Sequence, residues 1–347
     1  MDDCRMTVYI GTYTQGDASN NGILIFGFNN KTGEIKKTGE SEKLNDPSYL
    51  AVSGECLYAV MEDPGDGKDA GGLAAFKADR ASGRLTPLNK KLFNEKGCCH
   101  VAVSEDAGLI AAANYGEGSV TMLRLNADGS LGDICDTVFL TGTLGPDKKR
   151  QDASHAHYAE FRRGELFVTD LGLDKVFCFD ISGGRLKLSE TRSFSVKPGS
   201  GPRHLAINGG FIYCLNELSS DISVFYDNDG TFICKQTISA LPCGYASKST
   251  AAAIHISADK KYLYASNRGH DSIAIYDVGV SGLLSLKEIT ALPGKEPRDF
   301  SLTPDGRFLI AASQNSDRLN VFCVRDGLLY DTGYSHAVPK PVCVKFL

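Results

Sequence analysis

The sequence predicts an all-β chain: a seven-bladed β-propeller of four-stranded antiparallel blades, formed as one domain over residues 1–347. Three observations predict it. A strand–break–strand unit recurs seven times. The first strands of successive units, marked by Pro47, Cys98, His155, Pro202, Ala251, Pro297 and Pro341, start between 44 and 57 residues apart. The chain also opens on a second strand, "TVYIGTY", and closes on a first strand, "PVCVKFL". Pairing those two segments in one blade closes the ring. A period in the forties with four strands per unit is the mark of a propeller blade.

The elements follow in order. Blade one contributes "VYIGTYT" from Val8, then "ILIFGF", then "TGEIKKTGE" after a Gly turn. Blade two reads "PSYLAVS", "LYAVMED" and "GLAAFKA". Blade three has "IAAANYG" and "SVTMLRL"; blade four has "LFVTDLG" and "KVFCFDI"; blade five has "IYCLNEL" and "ISVFYDN". Blade six is "YLYASNRGHDSIAIY" followed by "SGLLSLKEI", and blade seven is "PRDFSLT", "LIAASQN" and "RLNVFCV". Many strands are apolar almost throughout rather than alternating, as expected where both faces pack on neighbouring sheets. A β-sandwich pair or a β-helix explains neither seven similar units nor complementary ends. The absence of Trp excludes a WD40-type repeat, and no stretch carries convincing helical periodicity. The longest loops are expected at residues 63–72, 142–154 and 241–250.

Composition narrows the function. A net charge of −5 supplies no basic stripe for nucleic acid. No apolar run approaches the ~18–20 residues of a membrane span. The opening "MDDCRMTVYIG" enters a strand at once with no apolar leader core, so the expected location is the cytoplasm. Eleven cysteines without a CxxC pair read as free thiols, and Cys98–Cys99 as an inert pair beside a core strand.

In a propeller the start of a blade's first strand and the turn after its second lie on one face of the disc, beside the central channel. The turn positions are Tyr13, Glu62, Asn114 with Tyr115, Asp170, Glu217, Arg268, and Gln314 with Asn315. At the start of the first strand, one register position reads Ser48, Cys99, Ala156, Arg203, Ala252, Arg298, Val342. The next reads Tyr49, His100, His157, His204, Ala253, Asp299, Cys343. Histidines, arginines and carboxylates therefore converge on one mouth. Plain structural roles compete for several of them. Asp170 in "DLGLD" is equally suited to holding turn amides. His100 and His204 suit satisfied core histidines, and Arg203 and Arg298 suit pairing with a neighbouring carboxylate. His155 and His157, at i and i+2, share a strand face, but no third ligand is marked by spacing, so no metal site is expected.

Arginines in a concave mouth bind oxyanions, and a His or Glu beside them can act as a general base. The chain has no G-x-S-x-G elbow and no Walker loop, and "NYGEGS" is not a dinucleotide fingerprint. Attack by base-activated water therefore outranks a covalent mechanism.

The motifs "YIGTYT", "SHAH", "TDLGLDKV", "GPRH", "LNEL", "SNRGHDSIA" and "PRDFSLTPDGRFLIAASQNSD" together resemble the seven-bladed propeller lactonase family over essentially the whole chain. That family contains propeller-type 6-phosphogluconolactonases and eukaryotic 3-carboxy-cis,cis-muconate lactonizing enzymes. The resemblance implies a cofactor-free site of one His, two Arg and one Glu, carried here by His157, Arg203, Arg268 and Glu217. Arg298, His155, His204, Asp170, Asn114 and Gln314 are secondary candidates for substrate binding. Two departures stand out: Ser154 replaces the Pro of the usual "P-H-x-H", and "FRRGE" replaces a "PDG" turn. The expected activity is hydrolysis of 6-phospho-D-glucono-1,5-lactone by a monomer or weak homodimer, with a small anionic sugar lactone as its only partner. The alternatives are a muconate-type cycloisomerase or another sugar-lactone hydrolase on the same site, and a non-catalytic ligand-binding propeller.

Overall fold

A computed structural model describes residues 5–15, 20–63 and 70–347. Seven antiparallel sheets are each built from four successive strands, with two exceptions. In blade one the C-terminal strand Pro341–Phe346 pairs with Arg5–Thr12, so the two ends of the chain close the ring through Val8–Phe346, Ile10–Val344 and neighbouring pairs. Blade four adds a short fifth strand, Phe194–Ser195. Among the described residues the only helical element is one 3-10 turn, Gln314–Ser316. The expected loops at 142–154 and 241–250 lie between strands as anticipated, whereas most of the one at 63–72 lies outside the described residues.

The near-continuous hydrophobicity of the strands has its cause in the packing. The apolar core divides into seven clusters, each drawn from two adjacent blades. One joins Val8, Ile10 and Phe26 of blade one to Ile310 and Val321 of blade seven; another joins Tyr213 and Val224 of blade five to Leu263 and Tyr276 of blade six. The second strand of a blade, as in Cys56–Met61 or Leu109–Asn114, is buried throughout and has no solvent face for polar residues. Buried tyrosines latch the blades together. Tyr9, Tyr58, Tyr213 and Tyr264 each donate to the carbonyl of a hairpin glycine in the next blade, at 2.9–3.0 Å.

One irregularity recurs and positions the site. Near the start of its inner strand, each blade except blade two carries a β-bulge, where two residues oppose one on the neighbouring strand. A bulge re-aims a side chain away from the regular alternation. The extra residue is Cys99 in blade three, Arg203 in blade five and Arg298 in blade seven. In blade four it is His157, because Ala156 pairs with Asp170 as Pro202 pairs with Asn216. The sequence register of blade four is therefore corrected by one residue. His157 is level with Arg203 and Arg298, and Tyr158 takes the place beside His100 and His204. His155 and His157 consequently do not share a strand face.

Candidate active site

The mouth is built from the bulged residues of the inner strands and from residues at the ends of the second strands, such as Glu217 just after Phe211–Asn216 and Arg268 closing Tyr262–Arg268. Asn216 ends its strand and Glu217 follows, its amide tied to Gly201 O at 2.7 Å. Glu217 is buried, with its side chain only 2 % exposed. Its Oε2 accepts from Arg203 Nε at 2.9 Å and forms an ion pair with Arg268 Nη2, also at 2.9 Å, and its Oε1 accepts from Arg150 Nη2 at 2.6 Å. The Nε2 of His157 stands 4.0 Å from the same Oε2. Burial alone would raise the Glu217 pKa, but Arg268, Arg203, His157 and Arg150 hold it well below the usual carboxylate range. Four sequence-distant residues, His157, Arg203, Glu217 and Arg268, are thus brought into one cluster.

The arginines are not equivalent. Arg203 is buried, and its Nη1 donates to Ala252 O at 2.5 Å and lies 3.1 Å from His204 Nε2. Burial, then repulsion by Arg268, pushes its pKa down to about 10. Arg268 donates through Nη2 to Ala251 O at 3.0 Å, while its buried Nε–H has no acceptor among the described residues. A buried donor without an acceptor, on a guanidinium already paired with Glu217, is suited to a bound oxyanion. Arg298 lies over the Tyr13 ring at 5.5 Å.

Beneath this layer the channel narrows. A cavity of about 10 Å³, lined by Ser48, Cys99, His157, Arg203, His204 and Arg298 among others, has room for about one water molecule. Below it an aromatic layer of Tyr49, His100, Tyr158 and His204 packs ring against ring, with centroids 4.1–5.8 Å apart. Burial holds His100, His157 and His204 well below the ordinary histidine pKa, so all three are neutral imidazoles near pH 7. Lower still, Lys345 contacts the Tyr49 hydroxyl at 3.2 Å, and His255 Nε2 meets Asp299 at 3.3 Å.

Two secondary candidates have other duties. Asn114 and Asp170 sit one position before Glu217's level, paired with the first residue of the inner strand, and are fully buried. Asn114 donates to Ser119 and Thr121. Asp170 accepts from the amides of His155 and Leu173 at 2.9 Å and from the Ser154 hydroxyl, which holds the turn. Gln314 opens the 3-10 turn at the rim, its amide bonded to Glu296 O at 3.0 Å. His155 stacks on Tyr115 at 4.3 Å and bonds Asp152 and the Tyr115 carbonyl, which places it on the outer wall of the mouth. Cys99 lies 4.0 Å from His157 Nδ1, and burial pushes its thiol up to about 12, which keeps it protonated. Among the described residues no group of three or more His, Cys, Asp or Glu could hold a metal ion.

Sequence reasoning missed Arg150. Its signal was the run Lys148–Lys149–Arg150 just before "SHAH", in a loop that pattern alone does not orient.

Fold and site define a propeller whose channel mouth gathers guanidinium groups around one carboxylate and a neutral histidine. The chain belongs to the seven-bladed β-propeller lactonase family, "Lactonase, 7-bladed beta-propeller", whose match spans residues 7–346. That membership places it among lactone-hydrolysing enzymes. It is 36 % identical to a 6-phosphogluconolactonase of Bacillus subtilis, covering 98 % of this chain and 97 % of the relative. It is 32 % identical to a 6-phosphogluconolactonase of Formosa agariphila, over 97 % and 96 %. The solved structure of a periplasmic gluconolactonase from Pseudomonas aeruginosa superposes with a TM-score of 0.91 at 31 % identity, covering 99 % of both chains. Among the described residues no helix is long and apolar enough to cross a membrane.

Proposed function

We propose that the protein hydrolyses 6-phospho-D-glucono-1,5-lactone to 6-phosphogluconate. The observation that carries this reading is the cluster of Arg150, Arg203 and Arg268 around Glu217, 4.0 Å from His157. It is a cationic mouth with a base, on a chain of net charge −5. The names of the Bacillus and Formosa relatives support the same substrate.

In the proposed reaction a water in the small cavity beside His157 attacks the lactone carbonyl carbon. His157, a neutral imidazole, accepts the water proton, and the resulting imidazolium is stabilised by Glu217. Glu217 is the poorer base of the two, because the guanidinium groups hold its carboxylate ionised. The tetrahedral oxyanion is held by Arg268, whose Nε–H is the unspent donor. Collapse breaks the ring ester bond, and the imidazolium returns its proton to the leaving ring oxygen. General-base assistance of this kind contributes roughly 10²–10⁴-fold.

The test is a pH-stat or indicator-dye assay on freshly made 6-phosphogluconolactone, corrected for spontaneous hydrolysis, run beside glucono-1,5-lactone and a muconolactone. Enzyme-dependent opening of the phosphorylated lactone, lost in His157→Asn, is expected. No acceleration over buffer by the folded protein, or calorimetric binding of the sugar acid without turnover, would overturn the reading.

A further inference from the structure

We infer that Arg150 is the residue that selects the anionic group of the substrate, and that its guanidinium covers Glu217 until that group draws it away. The inference rests on the lactonase reading and adds to it the part of the site that discriminates one lactone from another.

The argument starts from exposure. Glu217, Arg203 and His157 are all nearly sealed, with side chains 2 %, 4 % and 7 % exposed, and Arg268 is at 11 %. Arg150 is the exception at 39 %. A phosphate on a substrate carbon remote from the carbonyl cannot enter the sealed layer while the reacting carbon lies over His157, so it has to be met at the rim. Arg203 is unsuited to that role, since it is buried and its Nε and Nη1 already serve Glu217 and Ala252 O. Both described side-chain bonds of Arg150 leave from Nη2, one to Glu217 Oε1 at 2.6 Å and one to the Tyr115 hydroxyl at 3.4 Å. Its other guanidinium edge is therefore uncommitted, and a planar fork of N–H donors fits a phosphate.

The backbone beneath it is fixed. Asp147 Oδ1 accepts from the amides of Lys149 and Arg150, and Gln151 Nε2 donates to Leu171 O at 2.9 Å. Gly145 N donates to Gly172 O at 2.9 Å. The side chain is thus a movable arm on a rigid base, and the exposed Lys148 and Lys149 beside it add positive charge to the approach. When a substrate anion draws the guanidinium outward, Glu217 Oε1 is uncovered towards the reacting end.

The experiment compares kcat/KM for fresh 6-phosphoglucono-1,5-lactone and glucono-1,5-lactone in wild type, Arg150→Gln and Arg150→Lys, with melting temperatures as the fold control. The expected result is a wild-type preference for the phosphorylated lactone that falls at least tenfold in Arg150→Gln, chiefly through KM, and is partly restored in Arg150→Lys. A wild type without that preference overturns the assignment. So does an Arg150→Gln ratio within twofold of wild type, or an equal loss on both lactones. If wild type opens neither lactone, the lactonase reading fails by itself. Arg150 is then judged by calorimetric titration with inorganic phosphate. At least tenfold weaker binding in Arg150→Gln supports the assignment; equal affinity, or no binding by wild type, overturns it.

Discussion

Glu217 is a carboxylate for which three guanidinium groups compete, and the cost of removing each differs with what else it holds. Arg203 is buried and also ties the Ala252 carbonyl of the neighbouring blade. Arg203→Ala should therefore lower both activity and stability. Removing one partner of a buried pair typically costs about 3–5 kcal/mol. Arg268 is placed to hold the oxyanion and has a spare donor. Arg268→Ala should cut kcat by about 10²–10³-fold, the usual cost of an oxyanion donor, with a smaller fall in melting temperature than Arg203→Ala. Steady-state kinetics and thermal melts on the two variants check this, and equal melting losses would refute the division of labour. At this scale the residue types were legible and the pairings were not. "GPRH", "NEL" and "SNRG" stood out because a packing ring has no use for charges there. Arg150 did not, because a basic residue in a loop looks the same whether it faces solvent or a carboxylate.

The elements decide which of those side chains reach the axis. In a regular strand His155 and His157 would point the same way; the bulge sends His157 inward and leaves His155 stacked on Tyr115. A bulge leaves no gap in a single sequence, so the one-residue register of blade four emerged only from backbone pairing. The loop carrying Arg150 depends on a close approach at Gly172, where an added Cβ would overlap the Ala153 carbonyl oxygen and press on the His155 ring. Gly172→Ala should destabilise the protein by roughly 1–3 kcal/mol, as overpacking does, and raise KM by displacing Arg150. Denaturant melts and substrate titration read the two effects, and an unchanged KM with an unchanged melt would show that the loop tolerates the extra methyl group. Strand existence and order were plain in the sequence because every blade repeats them, while Asn114 and Asp170 could be told from Glu217 only once the pairings showed them one step deeper in the turn.

At the scale of the whole molecule, burial of His100, His157 and His204 along the axis couples stability to pH. Each is held neutral with a pKa well below its ordinary value, chiefly by burial. The unfolded chain protonates these groups below about pH 6.5, and the folded protein does not until its lower pKa values are reached. Their stabilising contribution is complete above about pH 6.5 and declines as pH falls below it, by up to about 1.4 kcal/mol per pH unit for each histidine. Melting temperature should hold steady from pH 8 to 7 and drop between pH 6.5 and 5, with a shallower drop in His100→Asn. A melting temperature independent of pH across that range would refute neutral burial. The sequence by itself determined the ring: seven units that can bury their apolar strands only against one another, with ends that complete a single blade. It also determined that charge gathers at one mouth, since blade repetition projects equivalent positions onto one face. The tertiary structure alone decided which charges touch, because Glu217 meets Arg150, Arg203 and Arg268 across 67, 14 and 51 residues of chain. Distances of that kind are set by bulges and by the curvature of a closed disc, neither of which a linear pattern encodes.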